Sequence, residues 1–393
     1  MAHLRSRFLA EKLNKSLKQS PTLSLLGMRQ TGKTTLLKEI CNSYVTLDDD
    51  RTLNQFKQGN WTFLEQLPCP VGIDECQKLP ALFDRIKFLV DQKKQMGRYI
   101  LTGSVRFLSK RQIKESLTGR TLTLELLPLT LSEAHQKKQG DIIKALLHSK
   151  TLADFEAYRR PLYTFSKTQI DSHLELGGLP GICLKRDPAL RRDLFDQQIE
   201  TLLSRDLPLL YDTKMSLTKL KLLLKELALI QGLDFSTESL ARKISTSSPT
   251  LKSVIDAFEG LFLIRRVGKR VYLEDGGISH SLVPNSVLSP LQLYRSFVFR
   301  ELLALIRYQY PRSTEITSYK TRGGVDIPFV LDVEGRKIAI LVDYEPFVTE
   351  KTLKSLGKFS KRFRSSRIVV FYLGQSTFEA SNGVWCIPLT SLA

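Results

Sequence analysis

The sequence predicts an α/β protein built around a parallel, doubly wound sheet, followed by further domains. Short apolar runs alternate with helix-favouring stretches, and the first run leads through a glycine-rich loop into a helix. The length of 393 residues exceeds what one hydrophobic core usually organises, so we expect more than one domain.

The predicted sheet consists of five strands, near residues 22–27, 44–47, 70–73, 98–101 and 121–127. Helix-favouring stretches follow the first and the third strand, at 33–41 and 79–94. Strands that alternate with helices are typical of parallel sheets, so residues 1–135 are expected to form the first domain.

The rest of the chain divides into three predicted parts. Residues 136–212 are helical and charged, with a glycine-rich turn at 177–181, and predict a helical lid. Residues 213–284 show the order helix, turn, helix, hairpin, the outline of a winged helix-turn-helix. Residues 285–393 combine a helix near 291–309 with strands near 327–331, 337–342, 368–373 and 384–388, which predicts a C-terminal α/β domain.

Composition narrows the class of protein. Hydrophobic residues at 42% and charged residues at 25% are near globular averages, which excludes a disordered chain. No apolar run reaches the roughly 18 residues of a membrane-spanning helix, so we expect a cytoplasmic protein without membrane contact. Five scattered cysteines indicate neither disulfides nor a zinc site. The net charge of +19 favours an acidic partner such as nucleic acid.

The strongest motif is the loop after the first strand, which fits the pattern Gly-x-x-x-x-Gly-Lys-Ser/Thr. Its two glycines let backbone N–H groups face phosphates, and the following helix points its positive dipole end at the same charge. We expect Lys33 to reach the β- and γ-phosphates of ATP and Thr34 to ligate Mg²⁺. The predicted nucleotide-binding residues are Gly27, Met28, Arg29, Gln30, Thr31, Gly32, Lys33, Thr34, Thr35 and Asp74.

Two carboxylates follow the third strand, and a phosphate-binding loop of this kind needs acidic residues there to bind the metal and activate water. Asp74 is expected to hold Mg²⁺ through water, and Glu75 to accept a proton from the attacking water. After the fourth strand, either Thr102 or Ser104 can orient that water, and the sequence does not choose between them. Arg120 precedes the fifth strand, where an arginine of a neighbouring subunit in a homo-oligomer can reach the γ-phosphate; a solvated surface arginine is the alternative.

Six short stretches occur in a distinctive order, at residues 47–49, 73–80, 100–104, 115–120, 126–129 and 177–180. With them the chain resembles the prokaryotic AAA+ ATPases that carry a winged helix and a C-terminal restriction-endonuclease-like domain of unknown function. The resemblance covers nearly the whole chain and is most specific in residues 22–130. It implies a cytoplasmic ATPase whose nucleotide site is completed by Lys33, Thr34, Asp74 and Glu75.

The family's C-terminal domain resembles a PD-(D/E)XK nuclease, whose metal site uses an Asp on one strand and Glu-x-Lys on the next. Asp326 matches the first part, but the metal-binding Glu position falls on Leu341 and the Lys position on Asp343. Because an apolar side chain removes a metal ligand, we expect no nuclease activity. A replacement ligand from Asp343 or Glu345 is the alternative.

Two further regions are candidate polyanion surfaces. The second helix of the predicted helix-turn-helix begins with side chains that suit phosphate contacts, Ser247, Thr250, Lys252 and Ser253. A basic stretch with interleaved aromatic residues covers 358–367. The alternatives are a winged helix that packs within the protein or binds a protein, and a solvated helix face.

Together these features predict an ATP-binding, Mg²⁺-dependent, ATP-hydrolysing protein of the AAA+ type. Its nucleotide state would change the geometry of C-terminal modules that engage DNA or a protein partner. The alternative is a non-hydrolysing, nucleotide-gated DNA-binding or regulatory protein.

Overall fold

The computed structural model describes residues 4–59, 61–106, 117–160, 162–322, 324–350, 352–353, 356, 367–380 and 383–392. The chain forms two compact units, each assembled from three segments. The first unit contains Met1–Pro128, Leu179–Leu220 and Pro249–Leu263; the second contains Leu129–Gly178, Lys221–Ser248 and Ile264–Ala393. Each unit therefore combines segments from several predicted domains, whose boundaries stay predictions.

The first unit contains a five-stranded sheet. Its strands are Thr22–Leu26 (β1), Ser43–Thr46 (β2), Val71–Asp74 (β3), Tyr99–Gly103 (β4) and Thr121–Glu125 (β5). They lie in the order β2-β3-β4-β1-β5, and every neighbouring pair is parallel. The predicted parallel α/β sheet is confirmed.

Burial along the strands explains why they appear in the sequence as short apolar runs. All five residues of β1, a central strand between β4 and β5, are buried, including Thr22 and Ser24. Strands covered on both faces show continuous buried runs of this kind. The edge strand β5 is only partly buried, with Leu122 40% exposed and Leu124 buried.

The helices that lie wholly in the first two segments of the first unit are, in chain order, Leu9–Leu17, Lys33–Ile40, Asp50–Lys57, Thr62–Gln66, Ala81–Gln92, Pro180–Cys183 and Pro188–Thr201, followed by a π-helical turn Leu202–Asp206. The helix Asp50–Lys57 was not predicted from the sequence. Its signal lay in the acidic run after β2, where the Asp49 carboxylate caps the helix by accepting from the Thr52 amide at 3.0 Å.

The second unit contains a hairpin and a six-stranded sheet. The antiparallel hairpin pairs Ile264–Val267 (β6) with Arg270–Leu273 (β7). The sheet strands are Ile316–Lys320 (β8), Asp326–Val333 (β9), Arg336–Val342 (β10), Arg367–Tyr372 (β11), Phe378–Ala380 (β12) and Val384–Pro388 (β13), in the order β12-β13-β11-β10-β9-β8. Strands β8 and β12 were not predicted from the sequence; they are the two edge strands and carry mostly half-buried or exposed residues.

The remaining helices are Leu131–Ala134, Ile142–His148, Leu152–Arg159, Lys167–Leu176, Leu217–Leu229, Thr237–Ile244, Ser248–Gly260, Gly276–Leu282 and Pro290–Gln309. Three of them precede the hairpin in the predicted order, at 217–229, 237–244 and 248–260. The winged-helix assignment itself stays a prediction. Among the described residues, no helix is long and apolar enough to cross a membrane.

A close approach to Asp275 explains the glycine at position 177. The Gly178 amide donates to Asp275 Oδ2 at 2.7 Å, and Gly177 has a positive φ of 71°. A Cβ on residue 177 would lie 2.5 Å from Asp275 Oδ1. Only glycine fits both the backbone conformation and this contact.

The second unit also buries an ionisable cluster around Glu301, on the helix Pro290–Gln309. Glu301 Oε1 accepts from the Leu131 amide at 2.9 Å and lies 4.0 Å from His173 Nε2. Burial raises the pKa of Glu301 to about 7; the Leu131 hydrogen bond and the charge of Arg300 oppose that shift, and Glu133 adds to it. Burial lowers the pKa of His173 to about 3.

Glu301→Gln is expected to flatten the pH dependence of stability. A carboxyl group whose pKa is raised on folding contributes stability that is complete below its unfolded pKa, near 4.5, and is lost as pH rises through 7. The wild type should therefore lose on the order of 3 kcal/mol of unfolding free energy relative to Glu301→Gln between pH 5 and pH 8. Urea unfolding at both pH values measures this difference. The exposed Glu175→Gln is the matched control, and equal pH slopes in the wild type and Glu301→Gln would contradict the prediction.

Candidate functional site

The glycine-rich loop leaves β1 at the centre of the first sheet. A Cβ on Gly27 would lie 2.2 Å from the carbonyl oxygen of Leu126, so the loop passes too close to the chain after β5 for any other residue. Gly32 has a φ of 96° and precedes the first turn of the helix Lys33–Ile40. These two glycines therefore place the helix N-terminus at the carboxyl end of β1, where it favours an anion.

Lys33 points back into this loop. Its Nζ donates to the carbonyl oxygens of Gly27 and Met28, both at 2.8 Å, and the residue is only 6% exposed. Burial lowers the pKa of Lys33 to about 8, while the charges of Glu75 and Asp74 oppose that shift. An anion bound at the loop would favour the charged ammonium further, so the site suits a phosphate.

Asp74, at the end of β3, accepts hydrogen bonds from three hydroxyl groups, one on a helix and two on the neighbouring strands of the sheet. Thr34 Oγ1 donates to Asp74 Oδ2 at 2.6 Å and the Tyr44 hydroxyl donates to the same oxygen at 3.1 Å. Thr102 Oγ1, on β4, donates to Asp74 Oδ1. The Thr34 hydroxyl and the Asp74 carboxylate thus lie together, and hard oxygen donors of this kind fit Mg²⁺.

Glu75 follows directly in a left-handed backbone conformation, with φ of 57°. Its carboxylate accepts a hydrogen bond from Gln77 Nε2, and the same nitrogen lies 3.4 Å from Ser104 Oγ. Thr102 therefore contacts Asp74, whereas Ser104 is linked through Gln77 to Glu75. This difference distinguishes the two residues that the sequence left as alternatives, although the role of each stays a prediction.

The rest of the loop is held by its own backbone and by an N-terminal arginine. Thr31 is fully buried and its hydroxyl donates to the Met28 carbonyl at 2.9 Å. Arg7 donates from Nη1 to the Thr31 carbonyl at 2.5 Å and from Nη2 to the Leu127 carbonyl at 2.6 Å. Gln30 has a φ of 67°, and the side chains of Thr34 and Thr35 are exposed at the start of the helix. Sequence reasoning missed Arg7, which lies 20 residues before Gly27 and belongs to no motif.

Arg120 lies at the surface in an ion pair. Its Nε and Nη2 donate to the two carboxylate oxygens of Asp91, at 2.6 Å and 2.8 Å. Both side chains are partly exposed, so the pair contributes little to stability. An arginine acting on a neighbouring subunit would have to leave Asp91, and that role stays a prediction.

Asp326, which matches the first part of the nuclease metal site, pairs with an arginine of the hairpin. Arg270, 3% exposed, donates to Asp326 Oδ1 at 2.5 Å and also pairs with Asp234 at 3.1 Å. Leu341 belongs to the hydrophobic core of the sheet. Asp343 accepts from the Thr352 hydroxyl at 3.0 Å and from the Glu345 amide at 3.3 Å. Among the described residues, no group of three or more His, Cys, Asp or Glu side chains could hold a metal ion.

The predicted polyanion surfaces are only partly described. Ser247, Thr250, Lys252 and Ser253 lie at or next to the start of the helix Ser248–Gly260, with Lys252 exposed. Of the basic stretch 358–367, only Arg367 is described; residues 358–366 lie outside the described residues, as do residues 115 and 116. Arg367 stacks on the Trp385 ring at 3.8 Å and donates to the Ser149 carbonyl at 2.7 Å, so it packs within the second unit.

Comparison with known proteins finds three family matches along the chain. Residues 19–135 match the AAA domain, residues 167–280 a domain of unknown function (DUF8612), and residues 292–392 another domain of unknown function (DUF4143). The last two matches name no activity.

Similar proteins and similar solved structures share at most about a quarter of their residues with this chain in the examples that follow. The uncharacterized protein Rv2008c of Mycobacterium tuberculosis is 25% identical, covering 97% of this chain and 83% of its own length. The uncharacterized protein MJ1544 of Methanocaldococcus jannaschii is 25% identical over 46% of this chain and 41% of its own. The Walker-type ATPase paby2304 of Pyrococcus abyssi is 16% identical, with a TM-score of 0.43 over 70% of this chain and 94% of that one.

The loop motif, the parallel sheet and the family match point to the same part of the chain. The loop Gly27–Thr34 lies between β1 and the helix that follows it, and the sheet order places β1 beside β4 and β5. Residues 19–135 are therefore similar to a P-loop domain of the AAA type.

Proposed function

We propose that this protein binds ATP with Mg²⁺ at its P-loop domain and hydrolyses it. The observation that carries the proposal is the hydrogen bond of 2.6 Å between Thr34 Oγ1 and Asp74 Oδ2, beside a lysine buried in the loop. It brings a hydroxyl, a carboxylate and an ammonium group to the carboxyl ends of β1 and β3. That combination suits a metal-bound polyphosphate.

The phosphate groups would be bound by the backbone amides of residues 27–34 and by Lys33. Thr34 and Asp74 would hold Mg²⁺, with Asp74 acting through water. When bound, the ion neutralises charge on the phosphate oxygens. The Thr102 and Tyr44 hydroxyls, which donate to Asp74, orient its carboxylate for this role.

Glu75 would accept the proton of the attacking water. Its carboxylate is held by Gln77, which lies between Glu75 and Ser104. This arrangement supports Ser104 as the side chain that orients the water or contacts the γ-phosphate, and Thr102 as a residue that positions Asp74. Arg120 of a neighbouring copy in a homo-oligomer would neutralise charge in the transition state after exchanging Asp91 for phosphate.

The nucleotide state would be coupled to binding of DNA or a protein partner by the C-terminal part of the chain. The net charge of +19 and the polar residues at the start of the helix Ser248–Gly260 support nucleic acid as that partner. The pairing of Asp326 with Arg270 and the apolar Leu341 support a nuclease-like domain that does not cleave.

Steady-state phosphate release from ATP tests the proposal. We expect release that requires Mg²⁺, stops with EDTA and rises when duplex DNA is added. Nucleotide binding without release above the level of Lys33→Ala would favour the non-hydrolysing switch instead. Metal-dependent DNA cleavage that disappears in Asp326→Ala would contradict the inactive nuclease-like domain.

A further inference from the structure

Two side chains outside the P-loop motif hold one residue of the loop, Arg29. Both lie in the 188–206 segment, which consists of the helix Pro188–Thr201 and the π-helical turn Leu202–Asp206 of the first unit. Gln198 Nε2 donates to the Arg29 carbonyl oxygen at 3.0 Å. Arg29 Nε donates to Asp206 Oδ2 at 3.2 Å. The first contact fixes the backbone of Arg29, and the second fixes its side chain.

The burial of these partners is unusual for polar residues. Asp206 is 1% exposed and Gln198 is 2% exposed, whereas the side chain of Arg29 is 23% exposed. A buried carboxylate needs a charged or hydrogen-bonding partner, which Arg29 supplies. Asp206 closes a π-helical turn, a rare backbone form that is frequent at functional sites.

The hydrogen bond to Asp206 uses only one edge of the guanidinium group. Among the described residues, Nη1 and Nη2 of Arg29 donate to no protein acceptor. The charges of Arg29 and Asp206 both act on the pKa of Lys33, so both groups lie near the phosphate-binding ammonium. Two parallel N–H donors on a held guanidinium match the oxygens of a phosphate.

We propose that the Arg29 side chain binds a phosphate of the nucleotide through Nη1 and Nη2, and that Asp206 and Gln198 are positioning residues for this contact. The inference rests on the proposed nucleotide binding. Because Arg29 is already held at Nε and at its carbonyl, less side-chain freedom is lost when phosphate binds. The 188–206 segment is then a structural part of the phosphate site.

The test is equilibrium binding of mant-labelled AMPPNP with Mg²⁺ to full-length variants. We expect Arg29→Gln and Asp206→Ala each to weaken binding about tenfold. Asp206→Asn keeps an oxygen that accepts from Nε and should stay within about twofold of the wild type. In phosphate release, both weakened variants should raise KM while kcat stays within about threefold.

The double variant Arg29→Gln with Asp206→Ala is expected to bind no more weakly than Arg29→Gln alone, because Asp206 acts through Arg29. Asp193→Ala, an exposed aspartate on the same helix, is the matched control and should leave binding unchanged. Thermal unfolding checks that each variant is folded. If Asp206→Ala is unfolded, the affinities of Asp206→Asn and Arg29→Gln still test the inference.

Three outcomes would overturn the inference while leaving nucleotide binding intact. They are wild-type affinity in Arg29→Gln, equal loss in Asp206→Asn and Asp206→Ala, and a further tenfold loss in the double variant. Absence of binding by the wild-type protein would instead reject the proposed function, and with it this inference.

Discussion

Lys33→Ala is expected to reduce the affinity for ATP by at least about 100-fold, which removes binding at ordinary nucleotide concentrations. Lys33 is the cation that the loop encloses, with Nζ 2.8 Å from the Gly27 and Met28 carbonyl oxygens. Its removal would eliminate the proposed charge-assisted hydrogen bonds to two phosphates. Isothermal titration with ATP and Mg²⁺ measures the loss.

The matched control is Lys38→Ala, which removes an exposed lysine from the same helix and should leave affinity unchanged. Thermal unfolding of Lys33→Ala separates loss of binding from loss of structure, since two loop carbonyls lose a hydrogen-bond donor in this variant. Binding by a folded Lys33→Ala within about threefold of the wild type would reject Lys33 as the phosphate ligand.

Glu75→Gln is expected to bind ATP with an affinity near that of the wild type but to hydrolyse it roughly 10²- to 10⁴-fold more slowly. The amide has nearly the same shape and still accepts the hydrogen bond from Gln77, but it does not accept a proton from water. Phosphate release and nucleotide titration on the same preparation measure the two effects separately.

Glu39→Gln makes the same change at an exposed position of the helix Lys33–Ile40 and should keep full turnover. If Glu75→Gln retained full hydrolysis, the assignment of Glu75 as the base would be wrong. A parallel fall in both affinity and turnover would instead indicate that Glu75 maintains the structure of the nucleotide site.

Local sequence patterns were sufficient for the parts of the chain with strong periodicity. The central strands β1, β3 and β4 are buried along their length, so each appears as a short apolar run. Edge strands β8 and β12 lack that signal because at least one side of them is half-buried or exposed. The helix Asp50–Lys57 was missed, although its N-terminal cap, Asp49, lies in the acidic run after β2.

The residues of the candidate site also fall into two groups, those that local motifs predict and those that only the tertiary structure shows. Lys33, Thr34, Asp74 and Glu75 follow motifs of short spacing, so the sequence alone predicted them, and the structure places Thr34 against Asp74. The side chains that hold other residues of the loop are far from it along the chain. Arg7 reaches the loop from the N-terminal segment, and Gln198 and Asp206 reach Arg29 from far downstream.

The nucleotide-binding motif and the central strands of the sheet around it were determined by the sequence, because glycine loops, apolar strands and tandem acids act over a few residues. The contacts of Asp206 with Arg29 and of Arg270 with Asp326 were decided only by the tertiary structure, since both join residues far apart in the chain. Each is a contact of a charged side chain at a buried position. Such contacts depend on which segments pack together, a property that no local pattern encodes.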